Sequence, residues 1–208
     1  MGLEYKNLDE RTRTLMLAEI ERDIAAKTLY LSENLNPQGK ANYPDLVRTA
    51  ARSGSDVTLG AAIRDRLNPH EKPRRLKSGE FSKAPVMRSN AHEMLAEGEF
   101  NRFYIRAVCL RAIEDGIQEV VVYRAKNVQN ARSESEQKIG QRVLVEPLLR
   151  DLRANPGVDT AMGLPPGPNS GFACGCRERG TLPHRFEQPP NKAPQRHLAS
   201  ASLRRAGR

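Results

Sequence analysis

The sequence has no tryptophan, and only five phenylalanines and five tyrosines among 208 residues. With so few rings and an apolar fraction of 38%, the core is expected to occupy part of the chain rather than all of it. No run of about 18 apolar residues occurs, which excludes a transmembrane helix. The stretch from Met1 to Arg13 has none of the apolar character of a secretory leader. Lys6 also stands where a myristoylation signal has Ser or Thr. The expected location is the cytoplasm, with no membrane partner. Cysteine is scarce and odd in number, three in all, which argues against a disulfide framework. Cys109 falls inside a helical pattern and reads as a small buried apolar residue.

The net charge of +9 suggests a polyanion partner until it is located along the chain. Residues 1–69 hold ten basic and ten acidic side chains, and residues 89–171 hold ten and eleven. The excess lies in residues 70–88, with six basic and two acidic, and in residues 172–208, with eight and two. The segments expected to fold are thus close to neutral.

Asp9 is a suitable N-cap, and the stretch to Thr28 reads as a helix. Its inward face is expected at Met16, Ile20, Ile24 and Ala25, and its solvated face at Glu19, Glu21, Arg22 and Asp23. Ser32 to Asn42 reads as a loop around Asn36-Pro37 and Gly39. A second helix is expected from Pro44 to Gly54 and a third from Ser55 or Asp56 to Leu67, where Asn68-Pro69 stops it. The next helix, from Ser89 or Asn90 to Asp115-Gly116, has the widest apolar stripe and is expected at the centre of the core; Gly98 interrupts its pattern, which allows a division into two helices. Glu119 to Tyr123 is the one convincing strand, β-branched and aromatic. It needs a partner, either Arg142 to Val145 or a strand from another copy. A last helix opens at Glu146-Pro147 and ends at Asn155-Pro156-Gly157.

The expected organisation is a helical unit over 1–68, a basic linker over 69–88, a helix–strand–helix core over 89–164 and a disordered tail over 165–208. The fold class is mainly α, with one or two short strands and that basic tail. From Phe172 onward there are seven Arg, one Lys and four Pro, with no Val or Ile. Such a composition is also what a GC-rich gene gives when read out of frame, with the change near Gly171.

Several motifs were weighed for chemistry. The helices on either side of Gly54 resemble a helix-turn-helix in the spacing of Ala50 and Gly54, with Thr58, Arg64 and Arg66 as polar contacts. Ser55 and Gly60 fall where apolar residues belong, and the unit is neutral, so an ordinary helical hairpin is the plainer reading. Nucleases place a carboxylate two residues before a strand lysine; here Arg124 stands before Lys126, and it cannot bind Mg²⁺. Tyr123-Arg124, Ser133 and Glu134 or Glu136 lie too close together to be the separate strands of an ADP-ribosyltransferase. Cys174, Cys176, His184 and His197 include a Cys-x-Cys tighter than zinc sites use. No metal or cofactor is expected.

Three functional readings follow. The first is a non-catalytic protein that binds another protein or its own copies. The second is a nucleic-acid-associated accessory protein, using Lys72, Arg74, Arg75 and Lys77 to neutralise phosphates weakly. The third is an enzyme with an anion pocket drawn from Arg102, Arg106, Arg111, Arg124 and Lys126. An enzyme is the least favoured of these. If the long helix is central, Phe103→Ala costs about 3–5 kcal/mol of stability. A loss below about 1 kcal/mol in denaturant melts would place that face at the surface.

Overall fold

The computed structural model describes residues 2–126, 137–155 and 172–175, all within one compact unit. Helix α1 spans Glu10–Ala25 and begins at Asp9, whose carboxylate accepts the Thr12 N–H at 2.9 Å. Helix α2 spans Pro37–Ser53, starting seven residues before the expected Pro44. The Asn36 side chain accepts the Gly39 N–H at 2.7 Å, and Pro37 takes a position where no amide donor is missed. The residues that suggested a loop are therefore a helix start. Pro44 sits within the helix at the cost of one intrahelical bond. Gly39 is required by contact: a Cβ there would fall 2.5 Å from the Arg66 carbonyl oxygen. Arg13 satisfies the end of α2, donating to the carbonyls of Ala51 at 2.9 Å and Gly54 at 3.0 Å.

Helix α3, Asp56–Ile63, is capped reciprocally by Ser55 and Thr58 and runs into a 3₁₀ turn at Arg64–Arg66. It crosses the next helix at Gly60, where an added Cβ would make an ordinary contact with the Ala96 methyl at 3.5 Å. That next helix, α4, spans Ala91–Glu114 without a break at Gly98, where an added Cβ would meet nothing. It is packed by α1, α3 and the last described helix, α5, Val145–Ala154. Phe100, Phe103, Tyr104, Ala107 and Val108 are buried along it, so the expected central helix is the observed one. The helices at 1–68 share this core with α4. No described helix is long and apolar enough to cross a membrane.

Strand β1, Glu119–Arg124, is flanked by β2, Arg142–Leu144, and β3, Phe172–Gly175, both antiparallel. Val120 faces Val143, which bears out the expected Arg142–Val145 partner, and Val122 faces Cys174. β3 corrects the tail: Ala173 and Cys174 are fully buried, so these four residues belong to the fold. A four-residue strand between turn-forming and Arg-rich segments shows no alternation of its own; the ladder to β1 defines it. The rest of the expected tail, 165–171 and 176–208, lies outside the described residues, as does the Ser133–Glu136 motif.

The N-terminal segment is a strap over α3, α4 and β1. Leu3 donates its N–H to Asp56 at 2.9 Å, and Glu4 donates to the Ala125 carbonyl at 2.7 Å. The N–H groups of Lys6 and Asn7 donate to the hydroxyls of Tyr123 and Tyr104, each at 3.1 Å. Between them, the Tyr5 ring packs on Phe100 and Tyr104, with centroids 5.2 and 4.7 Å away.

Removing residues 172–208 strips β1 of one neighbour and uncovers Val122, whereas removing 178–208 leaves β3 in place. The shorter chain should melt at least about 5 °C below the longer one. Equal melting temperatures would exclude β3 from the fold.

Candidate functional site

The residues proposed from sequence for anion binding fall into two groups. Arg102 and Arg106 are on the buried side of α4, against α1, and their charge is spent there. Arg106, with no solvent exposure, donates to Glu19 at 2.7 Å and to both oxygens of Asp23 at 2.6 and 2.8 Å. Arg102 donates to Glu99 at 2.6 Å. From α5, Arg153 reaches the same Glu19, donating at 3.0 Å. Glu19 and Asp23, expected on the solvated face of α1, are therefore inside. Their four-residue spacing sets both carboxylates on the face that meets α4.

Burial works against the ionised form of Glu19, yet hydrogen bonds and charge from Arg153 and Arg106 hold its carboxyl below the usual range. Asp23 follows the same balance, with burial outweighed by Arg106 and then Arg102. For Glu99, burial wins over Arg102, and its carboxyl is raised. Arg106 is raised: burial opposes its charge, but Asp23 and Glu19 more than offset it.

The remaining arginines proposed for a pocket are also dispersed. Arg111 pairs with Asp9 at the start of α1, Lys126 pairs with Glu97 on α4, and Arg124 at the end of β1 has its guanidinium nitrogens enclosed. These side chains do not converge on one cavity. A different cleft of about 480 Å³ is lined by Arg22, Ile113, Glu146, Leu149, Arg150 and Arg153. Arg153 is turned to Glu19 and Arg22 to Asp23, which leaves Arg150 as its one basic group without a carboxylate partner among the described residues. On α3, Thr58 is engaged in its helix cap, and Arg64 donates to His92 at 3.3 Å. Among the described residues, no three His, Cys, Asp or Glu side chains group to hold a metal; Cys176, His184 and His197 lie outside them.

The second group sits on an element that composition did not reveal. The expected linker is an antiparallel hairpin, bridged at His70 with Val86 and at Arg75 with Phe81. Backbone bonds run from Glu71 N–H to Pro85 O at 2.8 Å and from Met87 N–H to Pro69 O at 2.9 Å. Nearer the tip, Leu76 N–H donates to Glu80 O at 2.7 Å and Ser82 N–H to Arg74 O at 2.8 Å. Gly79 closes the turn at φ +88°, a left-handed conformation suited to a three-residue hairpin loop. At roughly 3.3 Å per residue the arm is about 20 Å long. Every residue from Lys72 to Phe81 is exposed.

At the base of the arm, Lys72 pairs with Glu33, while Arg88 and Arg74 lie 3.0 and 3.9 Å from Glu71. Arg75, Lys77 and Lys83 meet no carboxylate among the described residues. The arm also carries Leu76, Phe81 and Val86 at 47%, 71% and 73% exposure. Cations without counter-charge and apolar side chains without cover thus occur together on one element standing clear of the core. The sequence signal for it was the Lys77-Ser78-Gly79 turn between segments of similar length. Comparison with family models, with curated proteins and with solved structures finds no match.

The buried cluster yields a pH test. Because the folded pKa values of Glu19 and Asp23 are depressed, their contribution is present above the ordinary carboxylate range, near pH 4, and is lost as pH falls through the lower folded values. Arg106→Ala removes the cation and leaves two buried carboxylates, at a cost of about 3–5 kcal/mol at neutral pH. The variant's stability should also fall less steeply on acidification than that of the unaltered chain. Denaturant midpoints measured from pH 7 to pH 3 check both; parallel profiles would show that Arg106 does not hold those pKa values down.

Proposed function

We propose that the chain is a non-catalytic binding protein, that the hairpin arm over 69–88 is its contact element, and that nucleic acid is the partner the arm suits. The observation that carries this is the set Arg75, Lys77 and Lys83, exposed on a projecting ribbon and without counter-charge. The basic side chains of the core are already neutralised internally and have little charge to offer a ligand. A two-stranded ribbon is narrow enough to lie in a groove or along a phosphate backbone. Self-association through an unpaired strand loses its rationale, because β1 is bonded on both edges within the chain. A protein partner is the second reading, favoured by the exposed Leu76, Phe81 and Val86. We place the protein in the cytoplasm, a reading supported by the scarcity and odd number of its cysteines, three in 208 residues.

The test compares the full chain with a variant carrying Arg75→Gln, Lys77→Gln and Lys83→Gln, by fluorescence anisotropy with a labelled oligonucleotide over a range of salt. Basic residues beyond 175 are common to both proteins, so the difference isolates the arm. Loss of three phosphate contacts should make the dependence of log affinity on log salt shallower by about two to three. An unchanged affinity and slope would remove nucleic acid from the reading and leave the apolar arm residues as the contact for a protein.

A further inference from the structure

Arg75 and Phe81 bridge without exchanging backbone bonds, which run instead through their neighbours, Leu76 with Glu80 and Ser82 with Arg74. In such a pair the two side chains stand on the same face, with Cα atoms about 4.5 Å apart. One face of the arm therefore presents a ring, 71% exposed, across the ladder from Arg75, whose Nε donates to the Gly79 carbonyl at 3.4 Å. Lys83 lies two residues beyond Phe81 on the same strand, and Lys77 opens the turn two residues after Arg75.

We infer that Phe81 and Arg75 form a stacking site for one unpaired base, so that the arm takes single-stranded nucleic acid in preference to duplex. The inference rests on the nucleic-acid reading above. A flat ring across the ladder from a planar cation matches the face and the electron density of a base. In a duplex that face is covered by the neighbouring bases, whereas in a single strand it is free. Lys77 and Lys83 are placed to meet the phosphates on either side of the stacked nucleotide. The turn itself is Lys77, Ser78 and Gly79, followed by Glu80, a polar tip with a carboxylate that opposes entry into an anionic bilayer. The ring is set back on the ribbon's side, where a strand lying along the arm would reach it.

The test uses the full chain, its Phe81→Ala and Phe81→Trp variants, and the triple Gln variant, with oligothymidylate and a duplex of equal length as probes. The sequence has no tryptophan, so Phe81→Trp supplies a single tryptophan reporter, excited selectively at wavelengths beyond the absorption of the five tyrosines. Oligothymidylate should quench that fluorescence and bind the full chain at least about fivefold more tightly than duplex does. Phe81→Ala should weaken single-strand binding by about fivefold to a hundredfold while leaving the salt slope and the duplex affinity unchanged. Equal losses on both probes, no loss on either, or an unquenched tryptophan would overturn the stacking site. If Phe81→Ala has no effect but the triple variant still lowers affinity, stacking fails and the nucleic-acid reading stands. If the triple variant has no effect, both fail. A tryptophan that shifts on phosphatidylserine vesicles but not on oligothymidylate would reassign the arm to a membrane surface.

Discussion

The guanidinium of Arg106 is the fixed point from which the arrangement of helices follows. It is fully enclosed at the middle of the longest helix, and its donors are met by two carboxylates one turn apart on α1. Apolar packing alone would allow α1 to slide by a turn along α4 at small cost. A buried cation between two fixed anions does not, because any slip leaves ionised groups inside without partners. Arg153 then brings α5 to the same Glu19, so three helices meet at one carboxylate. The cluster is closed around Arg106, whereas Arg102 beside it keeps Nε and Nη1 buried without a hydrogen-bond partner among the described residues, with Asp23 3.8 Å from Nη1. The strap and α3 pack on the remaining faces of α4.

The same residue type plays opposite parts in the two halves of the site question. Arg102 and Arg106 on α4 are inside and paired with carboxylates, while the arginines on the arm stand in solvent beside exposed apolar residues. The near-neutral charge of residues 1–69 and 89–171 reflects this internal matching. Charge left over after matching is what reaches a partner, and among the described residues it is concentrated on the arm.

The elements legible in the sequence were those whose own residues carry their reason. Helix α1 has its cap at Asp9, α4 has a stripe wide enough to be the centre, and β1 is a β-branched run with an apolar partner at Val143. Elements fixed by something distant were not. Helix α2 was read from Pro44 because Asn36-Pro37 has the chemistry of a turn as well as that of a cap, and only the approach of Arg66 to Gly39 separates them. β3 is a strand because β1 needs a second neighbour. For the site, composition identified the basic residues at 72–77 but not the ribbon that displays them. Arg102 and Arg106 were misjudged as candidates for a pocket because helical periodicity says which side faces inward, not what waits there. One clue was present: Glu19 and Asp23 share the spacing of Met16 and Ile20, and acidic residues interleaved with an apolar stripe call for a buried cation.

The strap has a consequence for the order in which the protein can form. Its bonds are to Asp56, Tyr104, Tyr123 and Ala125, so during synthesis the residues of the strap, Leu3 apart, wait for hydrogen-bond partners that lie at least 97 residues further along the chain. At about 5–20 residues per second they remain without those contacts for several seconds or longer. During that interval the Tyr5 ring has no Phe100 or Tyr104 to cover it, and α1 carries Glu19 and Asp23 without their cation. The strap is therefore made well before most of the groups that secure it, and the nascent chain depends on α4 for both its apolar and its electrostatic closure.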